Sequence, residues 1–285
     1  MRELFIGQDS RVWTDDDMRE ALMAVEADRC ETLFIHSDIL FGKAAGAFRR
    51  TELLASLYGM LCDLPVKNLI FPTFTFSFCN GESYDVRNSR SYMGALSEYA
   101  RKQSGRYRTE DPLLSVSVPQ ELEPMYSHPS RHSLGEGSAL DTLHHMNDVK
   151  FLFFGAEMAN CFTYVHYVEK LLSVPYRFDM PFEGEILYPD GRIARRTQVI
   201  HTQCRGAKLP AKYDYFEKEL EEKGLLKKRS VGDRYIACIS EADAYREIRA
   251  HIEKDRNYFL AEPLNEAALT REYTYNKHDG RITHC

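Results

Sequence analysis

The sequence predicts an α/β fold in which a mostly parallel central sheet is flanked by helices. The first observation is the unbroken apolar run Phe151–Phe154, which is typical of a strand buried on both faces. The second is a short apolar strand, Thr32–His36, followed by a helical leucine pattern over Thr51–Cys62 and another strand, Asn68–Phe71. A strand, a crossover helix and a second strand form the unit that gives parallel pairing.

Caps and turn signals predict the elements around this core. Thr14 precedes three aspartates, which predicts the capped start of a helix that runs to about Glu26. Pro189-Asp190-Gly191 separates two apolar runs, which predicts a β-hairpin over residues 185–200. The other predicted elements are an extended segment over 73–80, strands over 113–118 and 230–240, and helices over 93–101, 139–146, 162–172, 211–224 and 241–254.

The 285 residues contain no internal repeat, low-complexity segment or linker. We therefore expect a single domain over residues 1–285, with residues 175–235 as an appended hairpin and helical lobe. The last segment, 263–285, is polar and contains tyrosines. It is either loosely held or crosses to a partner subunit, which would make the protein a homodimer.

Composition and charge exclude several functional classes. The net charge is −6 and no long run of lysine or arginine is present, which argues against nucleic acid as the main partner. Seven scattered cysteines without a C-x-x-C pair indicate reduced thiols and predict no zinc or other metal site. Neither a signal-peptide core nor an apolar run of about 20 residues is found, so we expect a cytoplasmic protein without a membrane segment.

The side chains that carry chemistry follow the central strand, which ends at Gly155. Thr163, His166 and Glu169 are spaced three apart in the next helical pattern and therefore share one face. In open α/β sheets, ligands bind just beyond the carboxyl ends of strands. An imidazole there can take a proton from a nucleophile while a carboxylate holds its other ring nitrogen. Ordinary surface pairs have the same spacing, so spacing alone leaves both interpretations open.

The segment from 132 to 169 has a more specific pattern. His132-Ser-Leu-Gly-Glu-Gly-Ser138 is followed by the apolar strand and then by Thr163-x-x-His166-Tyr167. Three earlier stretches stand in matching order: 33–37 (LFIHS), 71–75 (FPTFT) and 108–115 (RTxxPxxS). Together these blocks resemble the aminoglycoside 3-N-acetyltransferase family over roughly residues 15 to 255.

The resemblance implies transfer of an acetyl group from acetyl-CoA to a primary amine of an amino sugar by direct attack on the thioester. His166 would be the general base and Glu169 would orient it, whereas Thr163 would either bond the thioester oxygen or cap its helix. The residues implied for the cofactor are His36, Ser37, Lys43, Arg108, Ser115, Gly137 and Ser138. Those implied for the acceptor are Thr73, Thr75, Asp111, Glu157 and His201.

Local alternatives remain for several of these positions. His36 could be a core histidine at a strand end, and Gly137 could belong to a plain turn before a helix that Ser138 caps. Cys161 is a rival nucleophile, but it lies about 140° around a helix from His166, which favours a packing role.

Two departures from the family pattern bear on the acceptor. Asp111 stands where the family usually has a histidine, and residues 201–204 (HTQC) replace an acidic turn. An acceptor with one amine, either nucleotide-linked or from another biosynthetic route, therefore fits as well as an aminoglycoside.

Other functional classes remain as alternatives. One is a non-catalytic relative that binds a sugar or coenzyme A, and another is a resistance enzyme that acetylates aminoglycosides. A serine hydrolase is disfavoured because residues 135–139 (GEGSA) lack the G-x-S-x-G order.

Overall fold

The computed structural model describes residues 2–46, 49–128, 130–204, 207, 211–262, 264–265, 267, 269, 274–276 and 281–283. Its strands, β1 to β15 in chain order, are Glu3–Ile6, Val12–Thr14, Thr32–Ser37, Lys43–Ala44, Asn68–Pro72, Tyr84–Asp85, Arg106–Arg108, Val116–Pro119, Val149–Phe154, Arg177–Leu187, Ile193–Gln203, Lys227–Val231, Arg234–Ser240, Thr274–Asn276 and Arg281–Thr283. Its α-helices, α1 to α9, are Asp15–Ala24, Arg50–Cys62, Gly94–Ala100, Glu123–Tyr126, Ala139–His144, Met158–Cys161, Tyr164–Leu171, Ala211–Glu222 and Glu241–Lys254.

The central sheet has seven strands in the order β12–β13–β9–β3–β5–β8–β7. Strand β3 pairs in parallel with both β9 and β5. Strands β13 and β8 run antiparallel to their neighbours on both sides, so β12 and β7 point the same way as the three central strands. Five of the seven strands therefore share one direction, which confirms the predicted α/β fold with a mostly parallel sheet.

Both faces of the sheet are buried, and side chains along each strand point alternately to one face and the other. On β9, Phe151 and Phe153 enter one hydrophobic core, which also contains apolar residues of α5, α7 and α9. Leu152 and Phe154 enter the opposite core, which contains residues of α1, α2 and α3. All four side chains are fully buried, as the apolar run predicted.

The predicted hairpin is present and is longer than its turn signal suggested. Strands β10 and β11 pair without interruption from Arg177↔Gln203 to Leu187↔Ile193. The turn closes with a hydrogen bond from the Tyr188 N–H to the Arg192 carbonyl (2.9 Å), and Gly191 has φ +85. Apolar residues of this hairpin and of α8 join the core formed with α7. The assignment of residues 1–285 to a single domain stays a prediction.

Two expectations about secondary structure were wrong. Residues 73–76 have no regular secondary structure and lead through a turn at Ser77 into a 3₁₀ helix (Phe78–Asn80), so the segment is not a strand. The single strand expected over 230–240 is a hairpin of β12 and β13 that turns at Gly232. A Cβ at Gly232 would lie 1.9 Å from the Phe41 carbonyl oxygen, so this turn requires glycine. The helix expected over 162–172 is present as α7, which begins at Tyr164 and is preceded by the short helix α6.

The amino-terminal strands β1 and β2 had no sequence prediction. Most of the polar tail 263–285 lies outside the described residues, apart from the pair β14 and β15. Within the described residues, no helix is long and apolar enough to cross a membrane.

Candidate active site

A cavity of about 1040 Å³ lies at the carboxyl ends of the three central parallel strands. His36 and Ser37 reach it from the end of β3, Pro72 from the end of β5, and Ala156 from the loop after β9. This is the edge of an α/β sheet at which loops converge and ligands bind.

Gly155 allows the chain to turn from β9 into this cavity. It has φ +75, and a Cβ there would lie 2.0 Å from the Asp38 carbonyl oxygen. A side chain at this position would therefore force the β3 and β9 loops apart. The two loops are joined by a hydrogen bond from the Asp38 N–H to the Phe154 carbonyl (3.0 Å), so the residues after each strand face the same space.

Helix α7 presents His166 to the cavity with Glu169 behind it. The Nδ1 atom of His166 lies 2.8 Å from Oε2 of Glu169. The His166 side chain is 29% exposed, whereas Glu169 is fully buried. An ionised carboxylate only accepts hydrogen bonds, so the tautomer that satisfies Glu169 carries its proton on Nδ1 and keeps the lone pair on Nε2. In that tautomer the pair has the polarity that a general base requires.

Strand β10 supplies two further partners for Glu169. Arg177 Nε lies 2.6 Å from Oε2, and the Tyr176 hydroxyl donates to Oε1 at 2.8 Å. Burial by itself raises the pKa of Glu169, but Arg177, His166 and Tyr176 outweigh it and lower the pKa to about 2. Glu169 is therefore ionised at every physiological pH. Sequence analysis missed both partners, since nothing in the chain near 176–177 marks them as site residues.

Arg177 also contacts the imidazole, because its NH2 nitrogen lies 2.9 Å from His166 Nδ1. A guanidinium only donates hydrogen bonds, so Arg177 and Glu169 compete for that ring nitrogen. Burial first and the Arg177 charge second lower the pKa of His166, and the opposing influence of Glu169 does not reverse this. The imidazole is therefore neutral at pH 7, with its lone pair available.

Thr163 and Cys161 flank His166 along the cavity wall. Thr163 occupies the N-cap position of α7, but its side chain makes no capping hydrogen bond and its hydroxyl is 3.4 Å from the Cys161 carbonyl. Burial, reinforced by nearby carboxylates, raises the pKa of the Cys161 thiol far above its usual range. The thiol is therefore protonated and a poor nucleophile.

Two more histidines line the cavity, and burial keeps both of them neutral. The ring of His36 stacks on Phe153 with centroids 5.4 Å apart, and burial lowers its pKa to about 3. His201 Nδ1 lies 2.8 Å from Asp179, and burial lowers the pKa of His201 to about 4 despite that carboxylate. The sequence placed His36 with the cofactor and His201 with the acceptor, and both border the same space.

Several other predicted site residues form an internal network that does not line the cavity. The buried Arg108 guanidinium donates from its NH2 nitrogen to the Thr73 carbonyl (2.7 Å) and from Nε to Ser115 Oγ (3.2 Å). The Thr75 hydroxyl donates to the Pro112 carbonyl (2.7 Å). These bonds hold the loop after β5 against the start of β8. These hydrogen bonds give the polar residues of blocks 71–75 and 108–115 a structural role, whereas the family resemblance implies a ligand-binding role for them.

The remaining predicted residues are also placed apart from the cavity, except Glu157. Asp111 is buried and accepts from the Leu113 N–H (2.8 Å) and the Ser133 hydroxyl (2.9 Å). Ser138 caps α5, and Gly137, with φ +72, precedes it in the turn. Lys43 is exposed on β4.

A second group of charged residues borders the cavity, and Glu157 is the only one of them that sequence analysis predicted. Arg234, on β13, lies 2.8 Å from Glu157 and 3.5 Å from Asp38. Arg50, the first residue of α2, is an exposed guanidinium in the same lining. The positions are distant in sequence, and only the sheet topology brings them together.

The chain is similar in sequence and in fold to known acetyltransferases. A family model described as aminoglycoside 3-N-acetyltransferase matches residues 68–253. No curated protein sequence matches the chain. Among solved structures, aminoglycoside acetyltransferase AAC(3)-Xa is 19% identical with a TM-score of 0.70 and covers 85% of this chain and 93% of its own.

Two further solved structures were determined with ligands. AAC-IIIb, solved as a binary complex with CoASH, is 18% identical (TM-score 0.68; 88% of this chain, 99% of its own). AAC-VIa, solved bound to sisomicin, is 15% identical (TM-score 0.68; 85% of this chain, 98% of its own). At these identities the structures establish the fold that the chain shares with them.

Proposed function

Because the chain belongs to the aminoglycoside 3-N-acetyltransferase family, we propose that its cavity joins acetyl-CoA to a primary amine of an amino sugar or aminoglycoside. As a member of this family, the chain is an N-acetyltransferase that uses acetyl-CoA. The observation that carries the assignment to this site is the His166–Glu169 pair at the cavity wall, with Nδ1 and Oε2 2.8 Å apart.

In this proposal His166 is the general base. The acceptor enters as the free amine, and its nitrogen attacks the thioester carbonyl carbon. The nitrogen becomes strongly acidic as the new C–N bond forms, so a neutral imidazole with a lowered pKa is sufficient to take its proton. Glu169 keeps Nδ1–H directed away from the cavity and stabilises the imidazolium that results.

The step balances without another reactant. The C–N bond forms, the C–S bond breaks, and the amine proton passes through His166 Nε2 to the departing thiolate. The products are the acetamide and coenzyme A. Thr163 lines the cavity with His166, and we assign its hydroxyl to the carbonyl oxygen, because its side chain is not used in capping α7.

Direct transfer is supported by the state of Cys161. Its thiol lines the cavity, yet burial raises its pKa and keeps it protonated. A protonated thiol cannot accept the acetyl group efficiently. The reaction therefore proceeds in a ternary complex rather than through an acetyl-enzyme.

Arg50 is the residue best suited to the anionic part of acetyl-CoA. It lies in the cavity lining at the first turn of α2, where backbone N–H groups have no intrahelical acceptor. An exposed guanidinium beside such a helix end favours phosphate oxygens. The pantetheine arm would then extend from Arg50 towards the ends of β3 and β9.

The experiment compares wild type and His166→Ala in a thiol-release assay with acetyl-CoA and a panel of amino sugars and aminoglycosides. We expect kcat to fall by about 100-fold or more in the variant, since general bases contribute on this scale. His145→Ala is the matched control, because His145 is 71% exposed and lies outside the cavity.

Two results would contradict the proposal. One is equal turnover by wild type and His166→Ala with every acceptor. The other is calorimetric binding of coenzyme A or of a sugar by the wild-type protein without turnover of any amine, which would identify a non-catalytic relative.

A further inference from the structure

The charges that border the cavity suggest how many amines its acceptor carries. Among the described residues, Asp38 and Glu157 are the carboxylates in the lining. Both are paired with one guanidinium, that of Arg234, at 3.5 and 2.8 Å. Each has further hydrogen bonds, since Asp38 accepts from the Leu40 N–H (3.1 Å) and Glu157 accepts from the Asn160 amide.

The carboxylates just behind the lining are likewise compensated. Glu169 is held by Arg177 and by the His166 Nδ1–H. Asp179 is held by Lys170 (2.5 Å) and by His201. A cation that entered the cavity would have to compete with these protein cations for the carboxylate oxygens.

The rest of the wall offers no compensation for added positive charge. Burial keeps His36 and His201 neutral, and both lie in the lining. The guanidinium groups of Arg177 and Arg234 also border the space, and each already lies beside the carboxylates that it compensates. Several other lining residues are apolar or aromatic: Phe74, Phe76, Tyr92, Met93, Leu134 and Ile200.

A polycation would be disfavoured in such a space. Each ammonium group that leaves water needs a carboxylate or several hydrogen-bond acceptors to offset its lost hydration. An amino sugar with one amine avoids this cost, because its only cation deprotonates before it attacks. Its ring can pack on the aromatic side chains while its hydroxyls meet the polar residues.

We propose that the acceptor is a sugar with a single amine and that additional ammonium groups weaken its binding. This inference rests on the proposed function, because it concerns the second substrate of the same cavity. It separates monoamino sugars from polycationic aminoglycosides by charge, not by size.

The test measures kcat/KM with acetyl-CoA for matched acceptors. Monoamino hexoses with the amine at carbon 2, 3 or 4 are compared with the corresponding diamino hexoses and with sisomicin. We expect kcat/KM of the best monoamine to exceed that of both its diamino counterpart and sisomicin by about tenfold or more, which corresponds to about 1.4 kcal/mol. A diamino sugar or sisomicin that is acetylated more efficiently than every monoamine would overturn the inference.

Calorimetry with the coenzyme A complex provides a readout that does not depend on turnover. We expect sisomicin to bind more weakly than the best monoamine, and tighter sisomicin binding would overturn the inference even if no product forms. Absence of turnover with every amine would instead count against the proposed function, and the binding order would still decide this inference.

Arg234→Gln tests the cause. Removing the guanidinium frees Asp38 and Glu157, so the preference for monoamines over sisomicin should narrow by about tenfold. Arg229→Gln, an exposed position on β12 outside the lining, is the control and should leave the preference unchanged. An unchanged preference in Arg234→Gln, with thermal melting like that of the control, would contradict the assigned cause.

Discussion

Glu169→Gln should separate the electrostatic role of this residue from its shape. Glutamine keeps the volume and an acceptor oxygen for His166 Nδ1–H, but it removes the charge that balances Arg177. Glu169 raises the pKa of His166 against the effects of burial and Arg177. Its replacement should therefore lower that pKa further.

The magnitude follows from the carboxyl group itself. At about 1.4 kcal/mol per pKa unit, the fall of its pKa from 4.5 to about 2 corresponds to about 3 kcal/mol of stabilisation. A depressed carboxyl pKa stabilises the fold fully above about pH 4.5, and this contribution is lost as the pH falls towards 2. In a chain of this size, a loss of about 3 kcal/mol lowers Tm by roughly 5–10 °C.

Two measurements check this reasoning. At pH 7 the variant should lose about 100-fold in kcat/KM, because the imidazolium is no longer stabilised. The acid limb of its pH–rate profile should move to lower pH. Glu253→Gln, an exposed position on α9 paired with Arg249, serves as the control and should change neither quantity.

The reasoning is refuted if the acid limb of Glu169→Gln stays in place or moves to higher pH. It is also refuted if kcat/KM remains within about threefold of wild type in variant protein that melts cooperatively.

Three further changes probe the same site. Arg177→Gln removes a charge that lowers the pKa of His166, so the acid limb should move to higher pH, and a shift to lower pH would contradict the assignment. Cys161→Ala should keep turnover within about threefold of wild type. Mass spectra should show no acetylated enzyme for either protein, and loss of activity in the variant would favour an acetyl-cysteine route. Arg108→Met removes a buried hydrogen-bond donor, so Tm should fall by several degrees. The KM for acetyl-CoA of the folded variant should be unchanged, and a raised KM would indicate that Arg108 contacts the cofactor.

Local sequence was sufficient wherever one short-range rule determined the structure. The apolar run Phe151–Phe154 indicated a doubly buried strand, and the turn at 189–191 indicated a hairpin. Ser240 indicated the start of α9, where its side chain accepts from the Asp243 N–H. The i, i+3 spacing likewise placed His166 beside Glu169 without any knowledge of the fold.

Sequence patterns were insufficient where local signals were ambiguous or distant contacts decided the structure. Gly232-Asp233 is a two-residue hairpin signal that the prediction of a single strand over 230–240 overlooked. Only the fold shows that the Phe41 carbonyl also occupies the space of a side chain at Gly232. The blocks around Thr73 and Arg108 show the same limit, because the family resemblance associates them with ligands while the fold places them in an internal network. Their polar side chains suit a binding site as well as they suit the internal network that they form.

The sequence by itself determined the α/β class, the family resemblance and the imidazole–carboxylate pair, because each depends on residues that are close along the chain. Tertiary structure alone decided which charges surround that pair. Arg177 reaches Glu169 from β10, and Arg234 reaches Glu157 and Asp38 from β13. Together with burial, such pairings determine the pKa of His166 and the charges that border the cavity. They depend on which strands are neighbours in the sheet, which no local pattern encodes.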